Sequence, residues 1–210
     1  MSKIRMKLTL AFLVLAAVLW QPVNACTAVW LSTVSGNHVH GRTIEWGSFD
    51  LKSKLIISPH NQLFTSALPK NKKGVTWFNR YGFVGVSVSE DRFIGEGMNE
   101  ARLNAGLFYF SGYGSLAPFD PENTENKIAD MDLVRWMLGQ FKTVEQVKAA
   151  LAGITLAPIF LDENDQPSPT AHWRVTDASG GSIVIEIMNE GEMAVHENTV
   201  GVLTDSPDFP

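Results

Sequence analysis

Val23-Asn24-Ala25-Cys26-Thr27-Ala28-Val29-Trp30 joins the end of an apolar leader to the start of a folded domain, and it holds the chain's only cysteine. Upstream, Lys3, Arg5 and Lys7 form a basic start, and Leu8 to Trp20 is almost unbroken in apolar residues. Val23-x-Ala25 then supplies small residues at a cleavage point. That order is the layout of a secretory signal peptide. The apolar run is 13 residues long, short of the ~20 a membrane span needs. Residues 1–25 are therefore expected to be removed on export, to the periplasm or the medium, with no stable membrane anchor left behind. A cut after Ala25 puts a thiol and a free α-amine on one residue, Cys26. The same cysteine loosely fits a lipid-attachment site, which would cap that amine, and the leader alone leaves both fates open.

Removing the leader takes three of the 17 Lys and Arg and none of the 22 Asp and Glu, so the exported part carries 14 against 22, a formal charge of −8. An acidic surface argues against nucleic acid and anionic membranes as partners. The 185 residues from Cys26 to Pro210 fit one medium domain. A single cysteine excludes an internal disulfide and leaves a thiol free for chemistry. No Cys/His spacing suits zinc, and no cofactor is expected.

After the cysteine, Thr27 to Ser32 alternates, Ser35-Gly36-Asn37 turns the chain, and Val39 to Ile44 returns as a second strand. Leu55 to Ser58 reads as a short strand. The polar stretch from Pro59 to Gly74 reads as a surface loop, with Lys70, Lys72 and Lys73 as a solvated face. Val75 to Phe78, Phe83 to Ser89, Phe93 to Met98 and Asn104 to Gly112 follow as strands. The period then changes: Met131, Val134, Leu138 and Phe141 recur at helical spacing, with Leu133 and Met137 widening the stripe. Thr143-Val144-Glu145-Gln146 is a capping box opening a second helix through Leu151, and Gly153 ends it. Ala171 to Thr176 and Ser182 to Met188 flank Ala178-Ser179-Gly180-Gly181, a hairpin signal, and Met193 to His196 and Gly201 to Thr204 close the chain as strands. Strands, a helical pair, then strands again predict an α+β domain with mainly antiparallel sheet.

An α-amine titrates near 7.7–8.0 and a thiol near 8.5, so the amine of a processed Cys26 is a competent base for its own thiol. A nearby cation favours the thiolate further. The predicted hairpin carries Arg42 back beside the cysteine.

Cys26-Thr27, followed at this spacing by Gly41-Arg42-Thr43-Ile44-Glu45-Trp46, resembles the choloylglycine hydrolase family. That family includes bile salt hydrolases and penicillin V acylases, with N-acylethanolamine amidases and acid ceramidase as more distant members. Gly97-Met98-Asn99-Glu100, Tyr109-Phe110-x-Gly112-Tyr113 and Gly201-Val202-Leu203-Thr204-Asp205-Ser206-Pro207 extend the resemblance in order to the end of the chain. It implies an N-terminal nucleophile hydrolase that cleaves linear amide C–N bonds within an αββα sandwich.

Carried over by position, the resemblance makes Cys26 nucleophile and base, and Arg42 the arginine beside the thiol. Glu45 stands where the family has an aspartate on the α-amine, and Tyr109 gives a backbone N–H to the oxyanion. Asp205 replaces an asparagine whose amide is the second oxyanion donor. An ionised aspartate only accepts hydrogen bonds, and losing one such donor costs about 10²–10³ in rate, so weakened activity is expected. Tyr109 leans towards the penicillin V acylases; conjugated bile salts and other N-acyl amides stay open as substrates. Family members continue well past Pro210, so the resemblance implies a truncated chain with exposed strand edges and apolar surface, which favour association into a homo-oligomer. A non-catalytic binding role, lipidated or inactive, is the alternative.

Trp46, Phe108 and Tyr109, with Trp30, are expected to line an apolar acyl pocket, though core packing accounts equally well for Trp30, Trp46 and Phe108. His38-x-His40 puts two imidazoles on one strand face, but without further ligands these read as ordinary surface histidines. His172 and Trp173 read as packing.

Overall fold

The computed structural model describes residues 26–46, 49–110, 112–168 and 171–209. The expected leader, residues 1–25, lies outside the described residues. The hairpin expected at Cys26 is present. Strands β1 (Thr27–Ser32) and β2 (His38–Arg42) pair antiparallel, with Ala28 opposite Arg42 and Ser32 opposite His38. The turn is closed by Thr33 N donating to Asn37 O (2.7 Å).

The chain then builds β3 (Leu55–Ser58), β4 (Leu63–Ala67), β5 (Lys73–Phe78), β6 (Phe83–Val88), β7 (Glu90–Asn99) and β8 (Asn104–Tyr109). β4 corrects the reading of Pro59 to Gly74 as loop. It pairs with β5, and its alternation is masked because Leu63 points outward while the small polar Ser66 points in. Short β9 (Lys127–Ala129) and β10 (Thr155–Ala157) pair in parallel. Neither was visible in the sequence, because three residues are too few to show a period.

Between them lie α1 (Leu133–Gln140) and α2 (Val144–Leu151). α1 is shorter than its stripe: Met131 sits in a preceding 3₁₀ turn, Asp130–Asp132, and Phe141 is already extended. At α2, Thr143 Oγ1 accepts from Gln146 N (3.3 Å) as a capping box requires. The return arm is displaced by one residue, Gln146 Oε1 accepting from Lys142 N (3.0 Å) rather than from Thr143. Asp177 adds a second tether: Oδ2 accepts from Val144 N at the start of α2 (2.8 Å), and Oδ1 holds the turn that follows through Ser179 N (2.8 Å). That turn joins β11 (Ala171–Thr176) to β12 (Ser182–Met188); β13 (Glu192–Glu197) and β14 (Val202–Thr204) complete the order.

Seven strands form one antiparallel sheet in the order β13-β12-β11-β8-β7-β6-β3, and β14-β1-β2 form a second. β11 and β12 sort their side chains by alternation. Trp173, Val175, Ile183, Ile185 and Ile187 meet Val134, Met137, Leu138 and Val147 of the helices in the main core. Val184 faces the other way, into a small cluster with Cys26, Ala28, Phe108 and Leu203 that joins the two sheets. This is the expected α+β sandwich of mainly antiparallel sheets. Among the described residues its layers run helix, sheet, sheet. The outer face of the small sheet is apolar and open, with Val29, Leu31, Val39 and Val202 all exposed, and Leu55, Ile57, Val84 and Met98 form a second open patch on the large sheet. Among the described residues no helix is long and apolar enough to cross a membrane.

Candidate functional site

β14 brings a remote segment to the first residue of the domain. It pairs with β1, Thr27 opposite Thr204. The approach is fixed by Gly201, whose φ of +75° favours glycine and where a Cβ would lie 2.7 Å from the Trp30 carbonyl oxygen. Its carbonyl accepts from Trp30 N (2.7 Å) and its N–H donates to Asn198 Oδ1 (2.8 Å). Asp205, one residue past the pairing, is thereby set against Cys26. Cys26 N donates to Asp205 Oδ2 (2.8 Å) and Tyr109 N to Asp205 Oδ1 (3.2 Å). Cys26 Sγ lies 3.9 Å from the Glu45 carbonyl oxygen.

Cys26 and Asp205 are both buried. Burial pushes the Cys26 thiol up; the Asp205 charge adds to this, while the Glu45 carbonyl contact and the Arg42 cation pull it down. Burial also raises the Asp205 carboxyl, against the N–H groups of Cys26 and Tyr109 that favour its charged form.

Arg42 reaches from β2 into the large sheet. Its Nη1 donates to Leu107 O (2.8 Å), Gly95 O (3.1 Å) and Glu96 Oε2 (3.1 Å), and the guanidinium lies 4.1 Å over the Phe108 ring. Glu96 Oε1 faces Arg174 Nη2 at 3.4 Å, and Arg174 donates to Asn104 Oδ1 (2.9 Å). Gly106 makes this possible, because a Cβ there would run into the Glu96 carboxylate. Burial raises the Glu96 carboxyl against the pull of the two arginines. It lowers Arg174 to about 10, with Glu96 opposing and Arg42 assisting. Of the two guanidiniums around this carboxylate, Arg42 acts on the thiol, and its pull towards the thiolate is outweighed by burial.

Cys26 and Arg42 open onto a cleft of about 390 Å³ whose walls include Trp46, Phe49, Leu51, Leu107, Tyr109 and Phe160. Trp46 meets Tyr109 and Phe49 edge-on, with ring centroids 4.9 and 5.6 Å apart.

Of the residues expected at the site, Cys26, Arg42, Tyr109 and Asp205 come together, and Trp46 and Tyr109 line the cleft. Glu45 lines it too, but through its exposed residue position and its carbonyl. Its carboxylate makes no hydrogen bond to another described residue, and Asp205 is the acceptor on Cys26 N. Phe108 is a correction. Strand alternation turns it between the sheets beneath Arg42, fully buried, and Leu107 takes the lining position instead. Trp30 is likewise absent from the cleft and stacks on His38 (4.7 Å). His40 is not an ordinary surface histidine: its Nδ1 lies 3.7 Å from Glu96 Oε1, and burial, with Arg174 and Arg42, holds it down to about 4. His172 and Trp173 are wholly buried; His172 bridges Glu186 Oε1 (3.1 Å) and the Thr204 carbonyl (3.0 Å). Among the described residues no group of three or more His, Cys, Asp or Glu gathers as a metal site would require.

Glu96 and Arg174 went unnoticed in the sequence. Alternation alone puts Arg174 on the face opposite Trp173 and Val175, and Glu96 on the face opposite Gly97, which meets Leu138; only the second sheet covers that face, and there each charge needs a partner.

Residues 26–210 match the linear amide C–N hydrolases, choloylglycine hydrolase family. The chain belongs to this family. It is 34% identical over 186 residues to a bile salt hydrolase/transferase of Clostridium perfringens, covering 88% of this chain and 54% of that protein. It is 30% identical over 184 residues to a bile salt hydrolase/transferase of Bifidobacterium longum, covering 88% and 56%. A solved variant of the conjugated bile acid hydrolase from Clostridium perfringens superposes with a TM-score of 0.71 at 30% identity, over 88% of this chain and 54% of that one. The penicillin V acylase of Agrobacterium tumefaciens shares the fold, with a TM-score of 0.74 at 24% identity over 88% and 53%. The chain spans about half the length of the curated relatives it matches.

Proposed function

We propose that this chain is an exported hydrolase of linear amides, of the bile salt hydrolase and penicillin acylase type, acting through Cys26 at the N-terminus of the processed domain, 26–210. The carrying observation is the convergence of Cys26, Arg42 and Tyr109, remote in sequence, on one apolar cleft, with Asp205 bonded to the N–H groups of Cys26 and Tyr109.

After removal of residues 1–25 the Cys26 nitrogen is an amine. It takes the thiol proton, Sγ attacks the substrate carbonyl carbon, and the amine passes that proton to the leaving nitrogen as the C–N bond breaks. Water then attacks the thioester, giving its proton to the amine, and the acid leaves as the thiol re-forms. Arg42 favours the thiolate. The Tyr109 N–H is the oxyanion donor, and it is a contested one, because Asp205 Oδ1 already accepts from it. Asp205 also holds the amine in its charged form, which weakens it as a base near neutral pH. The cleft's aromatic walls suit an apolar acyl group as the substrate's bound half.

The test is release of amine from a panel of N-acyl amides, including conjugated bile salts and penicillin V, by the mature protein and two variants. Cys26→Ala is expected to abolish turnover. Asp205→Asn keeps an acceptor for Cys26 N and adds a donor beside the Tyr109 N–H, so it is expected to raise turnover by about 10² and to move its onset to lower pH. Turnover by Cys26→Ala at the parent rate removes this nucleophile. No gain in Asp205→Asn removes the account of the oxyanion site.

A further inference from the structure

Three charged residues line the cleft among the described residues: Arg42 and Glu45 at the thiol end, and Asp130. The mechanism uses nothing of Asp130, which opens the turn leading into α1 and is only 6% exposed. Its two oxygens have different work. Oδ1 accepts from Met131 N (2.9 Å) and Ile159 N (3.1 Å), tying the turn to the segment after β10. Oδ2 has no hydrogen bond to a described residue, and no cation pairs with the group among them. Its neighbour Asp132 shows the contrast, with Oδ2 accepting from Ser66 Oγ (2.9 Å) and lying 3.9 Å from Arg92 Nη2. A carboxylate oxygen without a protein donor, on a residue that lines the cleft, is free to accept from a donor on a bound molecule.

We propose that Asp130 is a specificity residue of the cleft, its Oδ2 taking a hydrogen-bond donor, hydroxyl or ammonium, carried on the acyl part of the substrate away from the scissile amide. This rests on the amide-hydrolase reading of the same cleft. The substrate class is then an amphipathic acyl amide whose hydrocarbon lies along Trp46, Phe49, Leu51 and Phe160 and whose polar group reaches Asp130. Burial pushes the carboxyl up to about 6, so it is an acceptor at neutral pH.

The experiment measures binding of straight-chain primary amides in plain, ω-hydroxy and ω-amino forms, over a series of lengths. Titration calorimetry is run on the full chain carrying Cys26→Ala, which stops turnover. At the length that spans the cleft, a donor-bearing amide is expected to bind roughly tenfold tighter than the plain one; which donor gains more identifies hydroxyl or ammonium. Adding Asp130→Asn keeps an oxygen for the Met131 and Ile159 N–H groups and turns a donor into the cleft. The preference is expected to vanish and an ω-keto amide to gain. Equal binding of all forms by the parent, or an unchanged preference in Asp130→Asn, overturns the proposal. Turnover of the same amides by the chain with Cys26 intact is scored separately: preference without turnover keeps the subsite and removes the amidase reading, and turnover without preference does the reverse.

Discussion

The two sheets are held by different physics. The seven-stranded sheet buries one face against α1 and α2 in a continuous apolar core that includes Trp173, Met137, Leu138 and Ile185 at essentially no exposure. The three-stranded sheet has a small apolar contact through Ala28, Leu203 and Phe108, and its other face lies open. What fixes it in place is polar: Arg42 on Glu96 and on the carbonyls of Gly95 and Leu107, Asp205 on Tyr109 N, and His172 on the Thr204 carbonyl. Hydrophobic burial is non-directional, whereas hydrogen bonds fix geometry. The sheet that carries Cys26 is therefore oriented closely by few contacts and stabilised little by area.

The contrast breaks first at Glu96. Glu96→Gln leaves Arg42 and Arg174 without their shared anion, and breaking a buried pair costs about 3 kcal/mol or more. The loss is expected to fall unevenly. Hydrogen exchange should quicken at the amides of β1 and β2, while those of β11 and β12 stay protected. Uniform acceleration across both sheets would mean that they form one cooperative unit and that the contrast is wrong.

A smaller effect sharpens the same picture on the helix side of the cleft. Asp130 is raised from about 3.8 to about 6 by burial, so the folded state favours its protonated form. Its contribution to stability is fully present below the unfolded value and is lost as pH rises through about 6. Across that window the parent should lose up to about 3 kcal/mol more than Asp130→Asn does; the other raised carboxyls, Glu96, Asp132 and Asp205, act on both proteins alike. Urea midpoints on either side of the window check this. Parallel pH profiles for the two proteins would contradict the assigned burial of the carboxyl.

The same division explains what the sequence disclosed. The large sheet and its helices were legible because burial imposes a period: Ala171 to Thr176, Ser182 to Met188 and the Val134–Leu138 stripe all fell in place. β4, β9 and β10 were hidden, the first by its outward Leu63 and inward Ser66, the others by their shortness. At the site, Cys26, Arg42, Tyr109 and Asp205 were named from ordered motifs, yet motifs carry no distances. That Asp205 spans Cys26 N and Tyr109 N, while the Glu45 carboxylate makes no hydrogen bond to another described residue, depends on how β14 closes onto β1. Phe108 and Tyr109 were both assigned to the pocket although neighbours on a strand face opposite ways. Strand alternation would have excluded one of them.

The central claim is that Cys26 stands first in the mature chain with its amine and thiol free. Intact-mass analysis of the exported protein, before and after iodoacetamide near neutral pH, tests it most directly. The expected result is a chain starting at Cys26 that gains one carbamidomethyl group, carried by Cys26. A diacylglyceryl group on Cys26, a chain that keeps residues 1–25, or a mature thiol that stays unlabelled would contradict it.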